Sequence, residues 1–163
     1  MKKLILVALI CAPMSLFAQK FGHVNYQEVL AAMPEMKTAQ TELETLAKQY
    51  EADLQSMQDE FKKKSEAYEK EEATLVENVK QRRQQELQEM QQRIQLFYQT
   101  AEQDIQKKQQ ELLVPVHEKM AKAIKTVGEK EGFTYIFDSQ AMVHIATDAN
   151  DVTPSVKKEL GIK

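Results

Sequence analysis

The chain has 163 residues, 29% charged and 42% hydrophobic, with a formal net charge of −3. Its 4 Gly, 4 Pro and 1 Cys exclude an all-β sandwich or barrel, which needs a turn signal about every 8–12 positions, and exclude a disulfide framework or cysteine-based metal cluster. The length allows one domain, or one with an appendage, and the abundance of Gln, Glu, Lys, Leu and Ala leans towards long helices.

Residues 1–18 read as an address. Lys2 and Lys3 form a charged start, Leu4–Phe17 an apolar run interrupted by Pro13, and Ala18 a small residue for cleavage before Gln19. The pattern is that of a secretory signal peptide, and it is short for a spanning helix. Cys11 follows Ile10, where a lipoprotein would need a small residue. Cleavage after Ala18 removes two lysines from 22 Lys+Arg and no acid from 25 Asp+Glu, leaving a mature charge of −5. Phosphate contacts need clustered cations, so that balance excludes nucleic acid as a partner.

Phe21-Gly22-His23-Val24-Asn25 is a short candidate strand. Asn25 can cap a brief helix at Tyr26–Ala32, with Glu28 at the capping-box position. Pro34 suits the first turn of a long helix, because that turn needs no donor there.

From residue 35 to residue 114 the chain contains no Gly and no Pro, 80 residues without a helix breaker. Apolar residues recur at Met36, Ala39, Leu43, Leu46, Tyr50, Leu54, Met57, Phe61 and Tyr68. The steps are of three and four, with a stutter at Tyr50–Leu54. A second stripe runs Leu75, Val79, Leu87, Met90, Ile94, Phe97, Ala101, Ile105 and Leu112, broken by a charge at Arg83. Narrow stripes suit a coiled coil of two or three helices, in which water covers the rest of each surface. Unbroken, the stretch would extend roughly 120 Å. However, Thr74-Leu75-Val76-Glu77 fits a capping box close to its midpoint. The pattern therefore predicts a hairpin with its turn near residues 73–74 and arms of roughly 55–60 Å.

Pro115 should kink or end the second arm. An amphipathic helix follows through Val116, Met120, Ala123, Ile124 and Val127, ending before Gly132. Phe133–Phe137 is a strong strand signal, Asp138-Ser139-Gln140 a turn, and Met142–Ala146 a further strand. Thr153-Pro154 supplies a cap followed by proline, opening a last helix that Gly161 closes. The fold class is thus mainly α: a long antiparallel coiled-coil hairpin, residues 34–115, inserted into a small α/β body formed by residues 20–33 and 116–163. A body of that size buries too little surface to be comfortable alone, so oligomerisation is expected.

No nucleophile elbow, Gly-rich phosphate loop or pair of catalytic carboxylates is apparent, which argues against an enzyme. His23, His117 and His144 are too scattered for a metal site. Asp148, Asn150 and Asp151 lack the glycine and closing glutamate of a calcium loop; they read as an acidic loop capping the last helix. No catalytic residue, metal or cofactor is assigned.

The Lys20–Asn25 start, the Gln/Glu-rich hairpin and the Phe133-Thr134-Tyr135-Ile136-Phe137-Asp138 strand, with Met142–Ala146 and Asp151-Val152-Thr153 behind it, resemble the Skp/OmpH family of periplasmic chaperones. The resemblance covers essentially the whole mature chain. It implies a homotrimer whose strands form a central body, with three hairpins around a cavity. The cavity would hold unfolded outer-membrane β-barrel proteins without ATP, in the periplasm. The best-known members are basic, whereas this mature chain is acidic. Its cations do gather near the turn, at Lys80, Arg82 and Arg83 opposite Lys62, Lys63 and Lys64, where weak steering of an anionic client or lipid surface is expected.

Client contacts are expected at apolar residues the stripes cannot accommodate. In Leu96-Phe97-Tyr98, three consecutive helix positions cannot share one face; with Phe97 in the seam, Leu96 and Tyr98 should project. Val76 beside Leu75 makes the same case at the turn. The alternative function is that of an envelope coiled-coil adaptor docking one partner through an apolar tip. The Glu- and Lys-rich tip favours an enclosure instead. A membrane-surface helix would want a Lys/Arg face opposite Trp or Phe; here 12 of residues 81–110 are Gln.

Overall fold

The computed structural model describes residues 19–162, so the expected signal peptide and Cys11 lie outside the described residues. Strand β1 (Phe21–Val24) leads into helix α1 (Tyr26–Ala32) and then helix α2 (Pro34–Glu71). A single turn of 3₁₀ helix (Glu72–Thr74) precedes helix α3 (Glu77–Glu131). Strands β2 (Tyr135–Asp138) and β3 (Asn150–Asp151) and helix α4 (Thr153–Glu159) follow. The protein is mainly helical, and it divides into two units: Lys37–Pro115, and the described residues up to Met36 together with those from Val116 on.

The second of these units is α/β. Its sheet has the order β2-β1-β3, with β1 parallel to both neighbours. Phe21 pairs with Tyr135, His23 with Phe137, and Gly22 with both Ile136 and Asn150. Because successive side chains point to opposite faces, Val24 enters the core while Phe21, Tyr135 and Phe137 stand on the other face. The core beneath gathers Val24, Val29, Leu30 and Met33 with Val116, Met120, Ala123 and Val127 of α3, and Val152 and Val156. Gly22 is required by close approach: a Cβ there would stand 2.9 Å from Phe133 Cε1 and 3.2 Å from Val152 Cγ1.

Capping explains the ends of this unit's helices. Asn25 accepts from the Glu28 amide at 3.1 Å, while its own amide donates to Thr153 Oγ1 at 2.9 Å, tying the first cap to α4. Gly132, with φ +72°, ends α3 and lets the Phe133 amide reach Gly128 O at 2.9 Å, the longer bond of a Schellman motif. Lys20 adds to that end, donating to Glu131 O at 2.9 Å with its ammonium 3.9 Å from the Phe133 ring centroid.

The Lys37–Pro115 unit is the expected antiparallel hairpin. Ala39 and Tyr68 of α2 and Met90 and Ala101 of α3 are buried, with the other stripe positions from Leu43 to Ile105 half-buried between them. Polar contacts join the arms across the seam. Tyr50 donates to Asp104 Oδ2 at 2.8 Å and its ring meets Phe97 edge-on at 5.8 Å. Lys64 pairs with Glu86 and Lys108 with Glu42. Arg83, the charge that interrupts the stripe, donates to Glu71 Oε2 at 2.8 Å.

Several local expectations are corrected. Thr74 does not cap the second arm: its hydroxyl donates back to Glu71 O at 2.8 Å, and α3 begins at Glu77, with Val79 and Lys80 amides bonded to Val76 O. Of the two outcomes expected at Pro115, a kink or an end, the end does not occur: Pro115 lies inside α3. It removes one donor, whereas continuing the helix brings Val116, Met120, Ala123 and Val127 into the core, and burial of several side chains outweighs one lost bond. Met142–Ala146 is not a strand: it pairs with none of the three strands, and a strand needs a partner for its backbone. The expected Phe133–Phe137 strand shifts to Tyr135–Asp138, and Val152, not Thr153, stands before α4. Thr153 caps nothing of its own helix, since its hydroxyl serves Asn25.

Candidate functional site

The hairpin's seam absorbs most of its apolar residues, so those left outside define its chemistry. Leu96 is 64% and Tyr98 54% exposed, on either side of half-buried Phe97. Val76, at the turn, is 65% exposed, and Val114 is exposed as well. Tyr98 opens onto a groove of about 300 Å³ along the hairpin, floored by Leu54, Phe97 and Ala101 and flanked by Glu51 and Glu102. The neighbouring Glu102 carboxylate raises the Tyr98 phenol above its ordinary value.

The six cations singled out in the sequence divide into two groups. Lys64 and Arg83 are engaged by carboxylates, Lys64 by Glu86 and by Glu60 at 3.5 Å, Arg83 by Glu71. The hydrogen bond from Lys64 holds the Glu86 carboxyl below its ordinary range. Lys62, Lys63, Lys80 and Arg82 form no ion pair among the described residues. Beneath the turn Tyr68 is buried, donating to Glu72 Oε1 at 3.1 Å and accepting from Gln84 Nε2 at 2.8 Å.

A second surface escaped the sequence reading. On the outer face of the sheet Phe21, Tyr135 and Phe137 stack with ring centroids 5.9–6.4 Å apart, yet each remains 43–54% exposed. The alternation of Tyr135 and Phe137 about Ile136 carried that signal, since it places both rings on one face of the strand. Beside it, Val143 in the unpaired Met142–Ala146 segment is fully exposed.

The histidines serve separate tasks. His117 Nδ1 lies 2.7 Å from the Tyr26 hydroxyl, its ring stacked on the phenol. His23 Nδ1 is 3.9 Å from Asp151 Oδ1, and His144 lies on the outer face of the sheet. Among the described residues no group of three or more His, Cys, Asp or Glu is placed to hold a metal ion. Asp151 accepts from the Thr153 amide at 2.9 Å, at the start of α4. No helix among the described residues is long and apolar enough to cross a membrane.

These features define an α-rich hairpin protein whose distinctive chemistry is exposed apolar surface on a filled seam. The model of the OmpH-like outer membrane protein family matches residues 20–160, and the chain belongs to that family. Its fold is that of the crystal structure of a candidate outer membrane chaperone, OmpH-like, from Caulobacter crescentus. The TM-score is 0.78 at 18% identity, over 88% of this chain and 84% of the other. No curated protein matches the sequence.

Proposed function

We propose that the protein is a periplasmic holdase that encloses unfolded outer-membrane β-barrel proteins without ATP and keeps them from aggregating. One observation carries the reading: Val76, Leu96 and Tyr98 project from a hairpin whose seam is already filled, so they are free to meet a client. Membership of the OmpH-like family supports it. A holdase needs no reacting group. It needs adaptable apolar surface that separates one client from the next, and dispersed contacts that release it without a nucleotide.

The holdase works as a homotrimer in this reading. Three stacked, half-exposed rings on a small sheet are apolar surface of the kind that self-association covers, and the body is small for independent stability. The cations Lys62, Lys63, Lys80 and Arg82 give at most weak contact with an anionic membrane surface. The adaptor reading is weaker because the turn presents one exposed apolar side chain, Val76, where a docking tip needs a cluster.

The test is aggregation of a urea-diluted β-barrel protein, followed by light scattering without nucleotide across protein concentration. Suppression saturating near three chains per client is expected; absence of protection at every ratio would overturn the proposal.

A further inference from the structure

The groove beneath Tyr98 joins an apolar floor to carboxylates on its rim. Several hairpin carboxylates are matched by cations: Glu42 by Lys108, Glu60 and Glu86 by Lys64, Glu71 by Arg83, Glu111 by Lys107. Those around the groove are not. Glu51 and Glu102 line it, and Asp104 bonds Tyr50 on its wall. With Asp53, whose charge reaches the same Tyr50 hydroxyl, they form no ion pair among the described residues. The nearby Lys48 is held by Glu44 at 2.7 Å. The floor of Leu54, Phe97 and Ala101 is apolar, and Tyr98 offers an exposed ring face.

An apolar floor with an unneutralised acidic rim is complementary to a side chain of opposite design. We infer that this groove binds a segment of unfolded polypeptide in which an aromatic or large aliphatic residue is adjacent to lysine or arginine. The apolar side chain would lie over Leu54, Phe97 and Ala101 on the groove floor. The cation would then meet Glu51 or Glu102 and lie against the Tyr98 ring, which attracts cations through its face. A groove of about 300 Å³ is at the small end of ligand sites, fitted to one side chain and its neighbour rather than to a folded partner. Selection is therefore by local sequence: cationic-apolar segments are held, acidic ones repelled. This inference rests on the holdase reading, and it names which parts of a client the hairpin grips.

Three fluorescent peptides of equal length test it by anisotropy with the full mature chain: one carrying an Arg-Phe-Lys centre, one Glu-Phe-Glu, one Ser-Phe-Ser. The cationic peptide should bind about tenfold tighter than the acidic one at about 0.05 M salt, with the neutral peptide between, since rim charges act through screened complementarity. The difference should collapse at about 0.5 M salt. E51K/E102K, both surface positions, should invert the order while circular dichroism shows the helices unchanged. Equal binding of the three peptides, or an order that E51K/E102K leaves intact, would overturn the groove assignment. If the β-barrel client is still protected in that case, the holdase stands and only the groove falls. Loss of both peptide binding and protection removes both.

Discussion

The Phe133 ring lies over Gly22 so closely that a methyl group on Gly22 would stand 2.9 Å from Cε1 and 3.0 Å from Cδ1. Val152 closes the other side at 3.2 Å. The ring cannot retreat without disturbing the Lys20 ammonium stacked on it. Gly22→Ala should therefore destabilise the α/β unit by about 1–3 kcal/mol, the usual cost of overpacking. Urea unfolding followed by tyrosine fluorescence would register it.

Pro115 sits inside α3 with four buried side chains following it, from Val116 to Val127. Replacing it with alanine restores a donor and removes a ring that crowds the preceding turn. Pro115→Ala should raise stability by about 1–3 kcal/mol. A drop in melting temperature would mean that the proline's local geometry is itself required.

Acid should loosen the junction between β3 and α4. Burial pushes the Asp151 carboxyl up, but the hydroxyl and amide of Thr153 outweigh it, with His23 and Lys157 adding, so the net direction is below its ordinary value of 3.8. A carboxyl lowered in the folded state stabilises above its unfolded value and loses that contribution as pH falls through the folded one. Stability should thus decline more steeply below pH 3.8 than in Asp151→Asn, whose neutral amide does not titrate. Thermal melts of both proteins at stepped acidic pH make the comparison.

The stacked face of Phe21, Tyr135 and Phe137 should be covered in the working assembly. Tyr135→Lys places a charge among three rings whose mutual contacts are 5.9–6.4 Å. Sedimentation velocity should show a shift from trimer towards monomer. A wild-type chain that runs as a folded monomer at micromolar concentration would contradict the trimer.

Val76, Leu96 and Tyr98 contribute little to the core, being 54–65% exposed. Changing all three to serine should leave the melting temperature within a few degrees while cutting suppression of client aggregation several-fold. Unchanged suppression would remove them from the contact surface.

The hairpin was legible because its signal is periodic and long. Ala39, Tyr68, Met90 and Ala101 are buried where the stripes put them, and the charged break at Arg83 is a real break, filled by an ion pair with Glu71. What failed rested on single residues. The Thr74 box has the right spacing, but a 3₁₀ turn offered its hydroxyl a nearer acceptor in Glu71 O. At Pro115 it was the expected end of the helix that several buried neighbours overruled. Met142–Ala146 has strand composition without a strand's partner, whereas Asn150 and Asp151, polar and turn-like, pair with β1 because the chain delivers them to its open edge. Leu96 and Tyr98 could be placed outside the seam from spacing alone. The acidic rim of their groove could not, since it depends on which carboxylates the opposite arm leaves unmatched.

The ladder between Phe21 and Tyr135 has a consequence for how the molecule matures. Its first strand finds both neighbours only after more than a hundred residues have been made, which is a slow, high-contact-order closure. The hairpin offers a way round. Pairing Lys108 with Glu42 draws distant stretches together early through mostly local zippering, and the remaining loop to close is then short. The hairpin would thus serve as its own chain's first organiser, zipping before the sheet can form, and a pulse-labelling exchange experiment should find its amides protected ahead of those in β1.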